Sequence, residues 1–207
     1  ATATVTADRG GEADVNATAV VGMLGCGNAT VEAIVTANSG GNADVDVEAS
    51  VVKLGSGNAN ASANVTADEG SEADVDVEAT VGKLGSGTAT ASANVKSTGD
   101  SDADANVTAE VTKGGEGSAT SIGKVYADND SWADADVSAE LSDEGNAVVK
   151  GTSIALEDSS ALTDAAVYLN NASGFVGAES VAIAVGQNAW ANAETTATIT
   201  ADSGNAV

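Results

Sequence analysis

The stretch ADVDVEASVVKLGSGNANASANVTADEGSE, residues 43–72, decides the fold. From Ala43 to Val51, and again from Ala59 to Ala67, every odd-numbered residue is alanine or valine, and the residues between are small or acidic polar ones. A period of two is that of a β-strand with one dry face and one wet face. The two strand patterns are joined by a seven-residue link, VKLGSGN, and followed by a five-residue link, DEGSE. Glycine in such links supplies the backbone conformations that a tight arc demands.

The same unit recurs with a period of thirty residues, the signature of a repeat architecture. ADVNATAVVGMLGCG starts at Ala13 and ADVDVEATVGKLGSG at Ala73. More divergent copies start at Ala103 (ADANVTAEV), Ala133 (ADADVSAEL), Thr163 (TDAAVYL) and Ala193 (AETTATI), so one repeat array accounts for residues 1–207. Counting by thirty aligns an acidic column, Asp14, Asp44, Asp74, Asp104, Asp134, Asp164 and Glu194. It also aligns glycines at Gly25, Gly55, Gly85, Gly115 and Gly145, and at Gly27, Gly57, Gly87 and Gly117. The pattern blurs only in LSDEGNAVVKGTSIALE, residues 141–157, where the apolar residues pass from odd to even positions and a bulge or altered loop is expected.

Composition excludes several function classes. The chain has no histidine, no proline, one cysteine and five aromatic residues, so the usual catalytic and metal-binding vocabulary is nearly absent and an enzyme is not expected. A net charge of −24 repels nucleic acid and anionic membrane surfaces. No apolar run approaches the ~20 residues of a membrane span. The start at Ala1 suits a mature chain after removal of a signal peptide, and an extracellular or cell-envelope location is expected.

Two all-β architectures satisfy the alternation. In a stack of β-arches, a two-sheet β-solenoid, the two strands of each unit lie in different sheets and successive units pair in parallel. In an antiparallel meander the units are hairpins, and the apolar face needs a partner sheet to cover it. Charge favours the meander: arches bring the acidic column to a spacing of ~4.8 Å, where neighbouring carboxylates repel by ~0.9 kcal/mol even at the dielectric of water. Burial favours the arches, because it acts at about ten inward positions per unit at ~25 cal/mol per Å². The arch stack is therefore expected, with cations or salt relieving the column. Residues 1–12 match the second half of a unit, residues 61–72, with no capping helix or proline, and copies are expected to add end to end through strand edges.

This acidic, low-complexity chain of Ala/Val/Asx/Thr strands resembles the sheath proteins of methanogenic archaea, a family of amyloid-like β-arch proteins that stack into hoops around cells. The resemblance runs through ADVDVEASVVKLGSGNANASANVTADEGSE and its copies. It implies a structural role: a homopolymer assembled from copies of this chain into an extracellular fibre, ring or sheet. Locally, SVAIAVGQNAWANAE, residues 180–194, is similar to the β-roll heads of trimeric autotransporter adhesins and implies an alternative role in surface or matrix binding.

Few single residues invite a role. No cofactor is implied, and the metal candidate is a divalent cation such as calcium on the column Asp14, Asp44, Asp74, Asp104, Asp134 and Asp164. Cys26 aligns with Ser56 and Ser86, so packing does not require its thiol. Unpaired and in a glycine-rich link, it is a candidate for a disulfide between chains. Lys53, Lys83 and Lys113 align as solvated link residues.

Overall fold

The computed structural model describes residues 1–112, 116–142, 145–169, 174–199 and 205–206. The described residues form strands β1 (Thr2–Asp8), β2 (Glu12–Val21), β3 (Ala29–Asn38), β4 (Asn42–Val51), β5 (Ala59–Asp68), β6 (Glu72–Val81), β7 (Ser86–Thr98) and β8 (Asp102–Val111). They continue with β9 (Glu116–Asp128), β10 (Trp132–Leu141), β11 (Gly145–Leu156), β12 (Ser160–Leu169), β13 (Gly174–Val185), β14 (Trp190–Ile199) and β15 (Asn205–Ala206). Odd-numbered strands make one sheet, in the order β1-β3-β5-β7-β9-β11-β13-β15, and even-numbered strands make the other. All pairings are parallel, so the protein is a two-sheet parallel β-solenoid with two strands per turn of about thirty residues. The antiparallel meander is thereby excluded: Asp46, which a hairpin would set opposite Asn64, pairs instead with Asn16 and Asp76.

Burial decides the contest, as the core shows. The odd-numbered residues of β3 to β7 point between the sheets and are buried, while their neighbours face solvent. Among the described residues Leu141 is the only fully buried side chain larger than valine. Each buried valine contributes roughly 1.5–3 kcal/mol, and small side chains let the two sheets approach closely.

The described links carry backbone hydrogen bonds from turn to turn as the strands do. Gly27 N–H donates to Ser56 O, and Gly57 N–H to Ser86 O, both at 3.0 Å. Gly57, Gly87, Gly117 and Gly145 hold φ near +150°, and a Cβ at any of them would lie within 1.8 Å of the carbonyl oxygen of the glycine in the turn below. Sterics thus make this column glycine by necessity. Gly145 belongs to this column, opposite Gly117, and not with Gly115, as counting by thirty suggests.

The same pairing dates a break in the period. Gly145 lies 28 residues after its partner Gly117, and Ser160 28 after Trp132, because three residues separate Leu141 from Gly145 where five separate their partners Val111 and Gly117. A change of two preserves which side chains face inward, so β11 still buries odd residues, Ala147, Val149, Gly151, Ser153 and Ala155. The expected switch to even positions within residues 141–157 does not happen there. It comes one turn later: Gly174 lies 29 residues after Gly145, which puts Val176 and Ala178, opposite Ala147 and Val149, on the inner side of β13. A one-residue change flips every side chain to the other face.

Candidate functional site

Two flat outer faces are the largest features open to a partner, and they differ in charge. The even-strand sheet carries seventeen Asp and Glu residues in its strands, all directed outward, and no Lys or Arg. The outer side of the odd-strand sheet carries Lys96, Lys124 and Lys150 among Glu32, Asp68, Asp128 and Glu179. The two faces therefore differ in acidity, the even-strand face having no cation in its strands to offset its carboxylates.

On the acidic face the structure brings most of the expected column together. Asp14, Asp44, Asp74, Asp104 and Asp134 pair in register on successive strands. Asp164 and Glu194 do not belong to it. The two-residue shortening moves them into the adjacent row, which runs Asn16, Asp46, Asp76, Asn106, Asp136, Asp164, Glu194, and places Leu162 and Asn192 after Asp134. Asparagines relieve this second row, since Asn106 donates to Asp76 at 3.0 Å and Asn16 to Asp46 at 3.4 Å. A shallow groove of about 430 Å³ runs beside it between Asp46, Asp76 and the row of Glu48 and Glu78.

Crowding of like charges leaves a mark on proton affinity. Partial burial and then the neighbouring carboxylates raise the pKa values of Asp74, Asp104, Asp136 and Glu110 above the ordinary carboxylate value. Asp134 is pushed up to about 6, chiefly by burial and then by Asp136 and Asp104. One carboxylate oxygen of Asp134 and one of Asp164 are buried without a hydrogen-bond partner. Among the described residues no group of three or more His, Cys, Asp or Glu side chains converges to hold a metal ion.

The outer face of the odd-strand sheet is polar over its first turns. Asn94 donates to Asn64 at 3.0 Å within a run of Asn, Ser and Thr side chains. From β9 onward it turns apolar: Tyr126, Ile154 and Ile183 form one row, and Leu156 and Val185 another. Lys96 lies over the Tyr126 ring at 5.7 Å, and Lys150 pairs with Glu179 at 3.5 Å. A groove of about 330 Å³ runs between the row of Asn64, Asn94 and Lys124 and the row of Thr66, Lys96 and Tyr126.

Cys26 is exposed and free, at a link that pairs with Ser56, whose hydroxyl donates to the Cys26 sulfur at 3.1 Å. Lys53 and Lys83 are exposed on the same links, and Lys113 lies outside the described residues. Sequence reasoning missed a ladder inside the other arc. Ser71, Ser101, Ser131 and Ser159 are buried there; Ser101 and Ser131 donate to Thr98 O (2.8 Å) and Asp128 O (2.7 Å), and their oxygens accept from N–H groups of the preceding turn. The thirty-residue recurrence of Ser71, Ser101 and Ser131 was the available signal.

No family model, curated protein or solved structure matches this chain.

Proposed function

We propose that the chain is a structural protein of the cell exterior that polymerises with copies of itself into a fibre, ring or sheet, as the likeness to archaeal sheath proteins implies. One observation carries the reading: turn after turn pairs in register through backbone hydrogen bonds over an interior of small apolar residues. A turn of a second copy would offer the same backbone ladder and the same Ala/Val interior that each turn meets within the chain. The acidic rows continue across such a junction, which makes polymerisation favoured by salt or cations.

Electron microscopy and fibre diffraction of the purified chain test this. Elongated or sheet-like assemblies with a reflection near ~4.8 Å along the stacking direction are expected. A monodisperse monomer at high concentration and high salt overturns the reading, and a discrete trimer favours the alternative role of a surface-binding head.

A further inference from the structure

We infer that the last turns form a lateral interface between copies, in which the outer face of β9, β11 and β13 of one molecule packs on the outer face of β10, β12 and β14 of the next. The inference rests on the self-assembly reading only for its choice of partner, a second copy, and makes no use of strand edges.

The argument begins with what these turns expose. On the odd-strand side Tyr126, Ile154 and Ile183 stand in a row beside Leu156 and Val185, and Val181, Ile183 and Val185 are each more than 40% exposed. On the even-strand side, at the same level of the stack, Trp132, Tyr168 and Trp190 are likewise more than 40% exposed. Trp132 and Trp190 flank Ser160 in one row. The odd-strand side thus has a contiguous apolar patch, which monomeric proteins rarely leave open. On the even-strand side the exposed aromatic residues stand at two places, Trp132 and Trp190 on one side of the acidic row Asp136, Asp164 and Glu194 and Tyr168 on the other. Three strands of ~12 residues at ~3.3 Å rise and ~4.8 Å spacing offer on the order of 500 Å² per copy, so the pair buries about 1,000 Å², the lower bound for a specific interface.

Charge selects which face meets which. Packing two even-strand faces together opposes Asp134, Asp136, Glu140, Asp164 and Glu194 with themselves and is repelled. Packing two odd-strand faces leaves Trp132 and Trp190 in water. Odd face on even face covers the apolar patch together with Trp132 and Trp190, and it sets Lys124, and Lys150 with its partner Glu179, against the carboxylates of Asp136 and Asp164. Such a contact joins different faces, so it does not close on itself and continues into a row of molecules side by side.

Sedimentation of three proteins tests this: the parent, Lys124→Glu with Lys150→Glu, and Asp136→Lys with Asp164→Lys, all checked for retained strand content by circular dichroism. The parent is expected to associate, each charge-reversed protein to lose roughly tenfold or more in association constant, and an equimolar mixture of the two to recover it. The double variant Ile154→Ser and Ile183→Ser, which leaves the charges untouched, is expected to show the same loss. A monomeric parent, an unchanged Asp136→Lys/Asp164→Lys protein or a mixture that does not recover overturns the inference. Microscopy separates the two assembly modes: loss of the lateral contact alone leaves stacks one molecule wide, and loss of strand-edge pairing alone leaves side-by-side rows one molecule deep.

Discussion

The turns before residue 112 and those after residue 116 build the same fold by different means. In the first region the period is thirty throughout, the strand interior is alanine and valine apart from Ser97, and both outer faces are polar apart from Val20 and Ile34. In the second the period falls to 28 and then 29, and the interior takes Gly123, Gly151, Ser121, Ser153 and Thr163. Size is balanced across the gap: a Cβ on Gly123 would lie 2.4 Å from a Val137 methyl, and one on Gly151 2.1 Å from the Thr163 methyl. What the fold conserves is therefore neither residue type nor repeat length. It conserves the width of the gap between sheets and the in-register backbone ladder, and it absorbs length changes in the links, where no strand pairing is lost.

If that is right, the most damaging single change must be one that breaks the ladder in either region alike. Gly87 belongs to the regular region and Gly145 to the irregular one, yet each holds a φ near +150° and would drive a Cβ into a backbone carbonyl, at 1.7 Å and 1.8 Å. Backbone cannot step aside as a side chain can. Gly87→Ala and Gly145→Ala are both expected to cost roughly 3–5 kcal/mol in urea unfolding. A cost confined to Gly87 would mean that the second region tolerates slack in its links, and the comparison would then rest on looseness and not on conserved geometry.

The regular region was the legible one. Two strands per unit, odd residues inward and glycine links follow from residues 43–72 by alternation alone, and the arch over the meander follows from burial. What alternation could not see is a shift of two, because it leaves the same residues inward. Asp164 matches Asp134 when counted by thirty and Asp136 when counted by 28, and both alignments keep alanines inside. Gly145 resolves them, since only the shorter count sets it over Gly117, where no other residue fits. Which outward residues form a surface was legible only in part: all five aromatic residues, Tyr126, Trp132, Tyr168, Phe175 and Trp190, fall in the later repeats, but their sorting onto two opposite faces depends on the parity of each link.

The acidic rows sharpen the comparison at the point where the two regions join. A carboxyl group whose pKa is higher in the folded chain binds its proton more tightly when folded, so stability rises as pH falls through the window between the unfolded and folded values. For Asp134 that window runs from 3.8 to about 6, and its penalty is fully present above about 6. Asp134→Asn is expected to stabilise the protein at pH 7.5 by about 1 kcal/mol, allowing for solvent screening, and to give no gain at pH 3. The register adds a finer test. Asp164 stands beside Asp136 in one row, and after burial it is the cause of the raised Asp136 pKa, whereas for Asp134 it is the least of the causes. Asp164→Asn is therefore expected to lower the pKa of Asp136 more than that of Asp134 in an NMR titration; the reverse order would restore the count of thirty.

The smallest effect is expected at the residue whose chemistry is most distinctive. Cys26 occupies the link position that Ser56 and Ser86 fill in the next turns, and these three form parallel bridges to one another. Its side chain is exposed, and the Ser56 hydroxyl donates to it at 3.1 Å, a bond that a serine oxygen accepts as well as a thiol sulfur does. Nothing is buried on the sulfur, and the flanking Gly25 and Gly27 set the backbone without it. Cys26→Ser is expected to change the unfolding free energy by less than about 0.5 kcal/mol, in the range of an ordinary surface substitution. A loss well above that would show that the link of the first regular turn is held by its side chain, against the backbone-held links inferred for both regions. A null result under reducing conditions leaves the thiol one place to act, between copies. Oxidised assemblies of the parent would then yield a disulfide-linked dimer on non-reducing electrophoresis, and those of Cys26→Ser would not.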